Sequence, residues 1–491
     1  MRLFYVILAV ALTGCATLRD ARLDDRLPSA ELRTVDLGRY KSVQGRKGGQ
    51  NSDLAIAAAI SGGGHRAANF AAGVFMALEQ LVSGDSTHDV LREVDYFSTV
   101  SGGGFAAGTY IASLYDHGQL ADAGGYSFTD AIQKDRGGIA RNLRRDYQST
   151  VLESLLCLRC IGHLDGGDML ERKIDRLVLG SKNRRGRYSL RLGDLFKAAD
   201  STEEVRFPYW VSNATIFENG MRFPVAPDIL EHYKIVRCTH NMKTFSLEGS
   251  AFNLPLAVGA KASASFPVAF PATTLVSENH DDRLNQYLHL LDGGLADNIG
   301  YRTAIDLLRQ DSAKHKVLLI IDAYKGASHP HSSRERSPSG VGMAYRITKI
   351  GLDAEHALLE RDISRLVGIA EGEGEIPIHV ITFSFAALKP VIGQEIADIK
   401  DELSKLRKRR SDARLRRLQR EIDLLLERSK SDLRGAENAY AMYDDVRAVE
   451  TSLNITAGEQ QLLFRAGAVA VEQRLDLIKE HIVSIIKMSG E

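Results

Sequence analysis

The chain has 491 residues, 44% of them hydrophobic, which provides for a large buried core and excludes a chain disordered throughout. Lys and Arg together number 63, as do Asp and Glu, so net charge marks out no polyanionic partner and no nucleic acid. Electrostatic arguments are therefore local.

The N-terminus reads MRLFYVILAVALTGCATLRD. Arg2 is a short positive region, and Leu3 to Leu12 form an apolar run too short to span a bilayer. The run ends in Leu12-Thr13-Gly14-Cys15, similar to a bacterial lipobox. That resemblance implies a signal peptide over 1–14, cut before a lipidated Cys15. Ala16 is not an aspartate, which by resemblance to Gram-negative sorting implies the outer membrane of the cell envelope. Residues 15–50 are polar with late glycines and read as a tether.

Leu54 to Ile60 is a continuous apolar run, the signature of a strand buried on both faces. Ser61 to Gly64 interrupt it, and Ala67 to Leu81 carry apolar residues at helical spacing. Residues 94–115 repeat this strand, glycine loop and helix around Ser101. Further strands are expected at Tyr209 to Ser212, Tyr287 to Leu291, Val317 to Asp322 and Ile378 to Phe385. Buried strands alternating with helices predict an α/β fold with three α/β/α layers and a mostly parallel central sheet.

Residues 396–434 differ from the rest. Ile396, Ile399, Leu403 and Leu406 share one heptad-like phase, and Leu415, Leu418, Ile422 and Leu425 another. Nine of the sixteen residues from Lys405 to Arg420 are basic. The pattern predicts an inserted basic helical hairpin, suited either to self-association or to docking on anionic lipid head groups. Residues 435–491 return to globular helices, with an N-cap expected at Thr456.

Ser101 sits where a strand gives way to a helix, followed by Gly102, Gly103 and Gly104. A nucleophile elbow holds its serine in a strained turn of this kind, with a small residue such as Gly103 two positions on. Thr99 stands where the usual pattern has glycine, and a glycine-rich turn is the alternative. The loop Gly62, Gly63 and Gly64 also joins strand to helix, where backbone N–H groups collect negative charge. A phosphate loop would end in Gly-Lys-Ser/Thr or show Gly-x-Gly-x-x-Gly, and neither spacing is present. Asp292 closes a short strand before Gly293 and Gly294, placed either as a base for a serine hydroxyl or as a turn residue.

These segments together resemble the patatin-like phospholipase family. The resemblance rests on the glycine loop with Arg66, the serine elbow, and Asp292-Gly293-Gly294 with Asp297-Asn298. AKASASFPVAFPA (260–272) and WVSNATIFENG (210–220) are similar to two further family segments. It implies a hydrolase domain over 51–395, completed by 435–491 around the 396–434 insertion. It also implies a Ser101–Asp292 dyad, with Gly62, Gly63 and Gly64 as oxyanion hole and Arg66 holding that loop. Membrane lipids would be the substrate, with no cofactor and no metal. Thr99 for glycine, and Ala67 where glycine usually follows the arginine, depart from the family pattern without removing a reacting atom. Two competing expectations are a histidine triad drawing on His65 or His289, and a lipid-binding or scaffolding lipoprotein on the same fold. Cys157, Cys160 and His163 with Cys238 and His240 are incomplete for zinc. A disulfide among the three cysteines would leave one thiol over.

Overall fold

The computed structural model describes residues 51–81, 89–119, 126–135, 138–145, 147, 166–180, 190–195, 207–240, 243–267, 269–278, 285–325, 350, 356, 359, 361, 363–364, 377–388, 442, 445–449 and 454–489. The expected signal peptide, Cys15, the tether, Cys157, Cys160 and His163, and the 396–434 hairpin lie outside the described residues.

Strand β1 (Leu54–Ile60) lies in the middle of the parallel part of the sheet, with all seven residues buried. Around it run β2 (Tyr96–Val100), β3 (Tyr209–Ile216), β9 (His315–Asp322) and β10 (Ile378–Ser384), in the spatial order β10-β9-β1-β2-β3. All neighbours in this group pair in parallel. That accounts for the unbroken apolar runs, because helices cover both faces of such strands.

The remaining strands extend the sheet in antiparallel fashion. They are β4 (Arg222–Val225), β5 (Ile235–His240), β6 (Lys243–Ser246), β7 (Thr273–Glu278) and β8 (Asn285–Asp292). β8 and β4 both pair with β3, and β7, β5 and β6 follow outward from β8. Of these five, the sequence reading anticipates β8 alone. The other four are four to six residues long, too short to carry a continuous apolar run like that of β1.

Three helices cover one face of the sheet: α1 (Gly64–Glu79), α2 (Gly103–Gln119) and α3 (Leu256–Ser263). Phe97 on that face packs against Phe75 of α1 and Tyr110 of α2, with ring centroids 5.3 and 5.9 Å away. Helix α4 (Tyr301–Gln310) covers the opposite face, where alternation turns Tyr96 and Ser98. There the Tyr96 hydroxyl donates to Asp311, just past α4.

Helix α5 (Ala457–Glu472) begins where expected. The Thr456 hydroxyl accepts from Glu459 N at 3.1 Å, and Glu459 Oε2 accepts from Thr456 N at 2.6 Å, a complete capping box. It ends sooner than the apolar pattern suggests, breaking at Gln473 before the short helix Leu475–Ile478. α5 lies against α1, and its approach leaves no room for side chains. A Cβ at Gly467 would sit 2.5 Å from Val74 N, and one at Gly73 would sit 2.4 Å from the Phe464 carbonyl oxygen. Gln460 adds a hydrogen bond of 2.7 Å to Asn69. The C-terminal segment thereby braces the helix that follows the glycine loop.

Cys238 is a free, buried thiol on β5, and burial raises its pKa far above the usual range. Among the described residues no group of His, Cys, Asp and Glu could hold a metal ion, and no helix is long and apolar enough to cross a membrane.

The α1–α5 crossing yields a stability test. Gly467→Ala should destabilise the fold by roughly 1–3 kcal/mol, the usual range for overpacking. Gly458→Ala, on the same helix with nothing nearer than 3.9 Å to the added Cβ, should cost nothing. Urea midpoints at unchanged slope would measure both, and equal midpoints would refute the close approach.

Candidate active site

Ser101 follows β2 and precedes α2 with φ +49°, a left-handed conformation uncommon outside glycine. An elbow of this shape lifts the serine hydroxyl clear of both flanking elements. Thr99, at the position where the elbow pattern has glycine, is fully buried and accepts a 2.9 Å hydrogen bond from Trp210 Nε1. Gly104 makes space for it, since a Cβ there would lie 3.2 Å from Thr99 Oγ1.

The two glycine loops interlock. A Cβ at Gly102 would fall 2.1 Å from the Gly64 carbonyl oxygen, and one at Gly103 would fall 2.6 Å from the Ser61 carbonyl oxygen. Gly63 and Gly64 take φ values of +141° and +60°, a turn that L side chains rarely adopt and that delivers the chain directly into α1. The Gly62 amide donates to the Asn298 carbonyl at 2.8 Å. Arg66, buried in the first turns of α1, reaches the carbonyls of Ala323 at 3.0 Å and Val449 at 3.2 Å. The guanidinium thus ties the start of α1 to the end of β9.

Strand register explains how Asp292 comes to Ser101. Val100, the last residue of β2, pairs with Asn213, but β3 continues to Ile216. Amides alternate between the two edges of a strand. On β3, Tyr209 N donates to Asp95 beside β2, and Phe217 N donates to His289 of β8. Ile216 N donates to Met221, on the β4 side. β2 and β8 therefore occupy the same edge of β3, one beyond the other. β8 runs the opposite way and stops with Asp292 opposite Ala214. Ser101, one residue past the Val100–Asn213 pair, meets that same row.

The contacts bear this out. The Ser101 hydroxyl hydrogen-bonds the Asp292 carboxylate, which also accepts from Gly294 N at 2.8 Å. The Asp292 carbonyl accepts from Thr215 Oγ1 at 2.8 Å. Asp292 is 4% exposed, and burial pushes its pKa up to about 6 against the lowering pull of those two hydrogen bonds.

Neither histidine weighed from sequence faces this pair. His65 is fully buried, its Nε2 is 2.7 Å from the Arg145 carbonyl, and its ring stacks on Tyr147 with centroids 5.0 Å apart. His289 is three residues before Asp292 and so points from the other face of β8, with Nδ1 3.0 Å from Thr274 Oγ1.

Several supporting groups escaped the sequence reading. Asn213 donates to Ser98 Oγ and to the Thr99 carbonyl at 2.9 and 3.1 Å, and accepts from Thr303 at 2.7 Å. Ser98 in turn donates to the Gly300 carbonyl at 2.6 Å. The Asp297 carboxylate accepts from Gly300 N and Arg302 N at 2.8 and 3.1 Å, capping α4. His356 lies 3.4 Å from Asp322, stacks on Tyr324 at 3.8 Å, and places Nε2 3.5 Å from the Asn298 amide nitrogen. The sequence marks Asn213, Asp297 and Asn298 only as parts of motifs, and offers no signal for His356.

No curated protein matches the chain. Among solved structures, human GIVD cytosolic phospholipase A2 matches at 13% identity with a TM-score of 0.31, covering 61% of this chain and 48% of that one. The chain thus spans about half the length of that structure. The patatin-like phospholipase family matches residues 58–305, just over half of the chain, and takes in the glycine loop, the Ser101 elbow and Asp292. The chain belongs to the patatin-like phospholipase family.

Proposed function

We propose that the chain is a serine carboxylic-ester hydrolase of lipid acyl esters, of phospholipase A or lysophospholipase type, working through a Ser101–Asp292 dyad. The observation that carries the reading is the hydrogen bond between a serine held at φ +49° and a buried carboxylate with a pKa of about 6. Such a pKa suits a general base near neutral pH.

In this reading Asp292 removes the Ser101 proton as Oγ attacks the acyl carbonyl. Negative charge develops on the former carbonyl oxygen. The amides of Gly63 and Gly64 suit it best, because they open α1 and have no carbonyl four residues back within the helix. The Gly62 amide, bonded to Asn298, shapes the loop. Protonated Asp292 then gives its proton to the departing alcohol or lysolipid, leaving an acyl-Ser101 ester. Water, deprotonated by Asp292, attacks the ester; the fatty acid leaves, and Ser101 regains its proton.

The dyad has a direct test. Ser101→Ala and Asp292→Asn should each remove esterase activity, and the double variant should lose little more than either alone. A fluorophosphonate should label Ser101. Wild-type turnover in either single variant would refute the reading, and a folded, inactive wild type would favour a lipid-binding protein on this fold.

The pH dependence has a definite sign. Asp292 must be ionised to act, so kcat/KM should rise with pH through about 6 and level off above it. Stability runs the other way. The folded pKa is raised, so the native state holds the proton more tightly and loses stability as pH rises from about 4 to about 6. Asp292→Asn removes that slope and should be more stable than wild type at about pH 8, by on the order of 2–3 kcal/mol. Thermal melts across pH check this, and parallel curves for the two proteins would contradict it.

We further propose that Cys15 is lipidated and holds the hydrolase at a bacterial membrane, on the strength of Leu12-Thr13-Gly14-Cys15 after the apolar run. Cys15→Ser should move the protein from the membrane to the soluble fraction. A mature N-terminus elsewhere than residue 15 would rule this out.

A further inference from the structure

Ser101 and Asp292 are far apart in sequence, yet one short segment at the end of α3 holds the main chain of both. Ser263, the last residue of α3 and 1% exposed, accepts the Ser101 N–H on its hydroxyl oxygen at 2.9 Å. Two residues on, the Ser265 carbonyl accepts the Asp292 N–H at 2.9 Å. Ser265 is itself fixed, since its hydroxyl donates to the Lys261 carbonyl at 2.9 Å. The segment runs back toward the sheet as β7, whose first residue, Thr273, lies opposite Leu290 of β8.

The Ser101 contact answers a local problem. Along β2 the amides pair with the flanking parallel strands, but the elbow leaves the ladder at Ser101. Its N–H then becomes a part-buried donor with no strand acceptor, and leaving such a donor unpaired is costly. The left-handed conformation adds strain, and strain of this kind persists only where the surroundings over-determine it. Ser263 supplies the acceptor and directs the amide inward, which leaves the Ser101 hydroxyl aimed at Asp292.

We propose that Ser263 is a positioning residue for the nucleophile: its hydroxyl holds the elbow amide and thereby sets the Ser101–Asp292 geometry. This rests on the hydrolase reading. Ser263 touches no reacting atom, so its effect belongs in kcat and not in substrate binding. It also leaves a mark on the base. The Ser101 hydrogen bond lowers the Asp292 pKa, so a displaced Ser101 hydroxyl lets that pKa climb.

The test compares wild type, Ser263→Ala, Ser101→Ala and the control Ser113→Ala. Ser113 bonds the Tyr110 carbonyl within α2 and lies outside this machinery. Hydrogen exchange of the peptide spanning the elbow reads the contact without any substrate. Ser263→Ala should exchange the Ser101 amide at least about tenfold faster, the loss of one protecting hydrogen bond. Ser113→Ala should not. With a soluble short-chain ester, Ser263→Ala should lose roughly 10–100-fold in kcat at unchanged KM, the scale of a misplaced reacting group. Its acid limb in the kcat/KM profile should also move to higher pH. Unaltered Ser101 exchange in Ser263→Ala overturns the proposal whatever the activity, and so does a wild-type kcat when hydrolysis depends on Ser101. A wild type without Ser101-dependent hydrolysis defeats the hydrolase reading, while the exchange result still decides whether Ser263 holds the elbow.

Discussion

β3 outruns β2 by Ala214, Thr215 and Ile216, and the site depends on the bare edge this leaves. β8 takes that edge, and because it is antiparallel its carboxyl end comes down onto the carboxyl end of β2. The two strand ends then share one row across Ala214, with a serine on one and a carboxylate on the other. The neighbouring contacts follow from this abutment. Thr215, on the overhang itself, binds the Asp292 carbonyl. Gly293 turns the chain so closely over β3 that a Cβ would lie 2.1 Å from the Asn213 carbonyl oxygen. Any larger residue there would lift β8 off its row and move the carboxylate with it.

The abutment also sets the electrostatics. It buries Asp292 among neutral partners, an amide and a hydroxyl, so desolvation outweighs hydrogen bonding and the pKa rises. A cation in direct contact would reverse the sign. Arg66, the charged residue of the glycine-loop motif, is committed to the carbonyls of Ala323 and Val449. It shapes the loop from behind, at the end of β9. A carboxylate that is costly to ionise is also one that accepts a proton readily, so the instability of the site and its basicity have one source.

The parallel half of the fold was legible because burial on both faces writes itself as unbroken apolar runs. β1 is the clearest case, and its boundaries coincide with the run Leu54 to Ile60. The strand expected at Tyr209 to Ser212 runs on to Ile216, and the polar Asn213 and Thr215 beyond Ser212 are buried, at 1% and 2% exposure. Their polarity is satisfied by Ser98, Thr303 and Asp292, partners remote in sequence, and no local pattern can show that. The antiparallel strands β4 to β7 are hard to see for a related reason: β7, for example, alternates buried and half-exposed residues over only its first four positions. At the site, Ser101 and Asp292 stood out through their glycine neighbours. Ser263 is marked only as part of the 260–272 segment, because its partner is a main-chain amide 162 residues away.

Three glycines follow Ser101, and two of them, Gly103 and Gly104, open α2 and weaken its start by up to about 1 kcal/mol each relative to alanine. Each faces a different neighbour that offsets this cost. Gly102 rests on the Gly64 carbonyl, Gly103 on the Ser61 carbonyl, and Gly104 opens the slot filled by Thr99 and Trp210. The first two contacts reach from the elbow into the loop at the head of α1. Elbow and loop come from separate strand–helix units, but with no side chain between them they pack backbone to backbone. A shift of one would drive the other out of place by a comparable distance. Preorganised donors stabilise developing charge only if they stay still relative to the attacking atom. The glycines that weaken α2 locally are what let Ser101 and the head of α1 pack backbone to backbone.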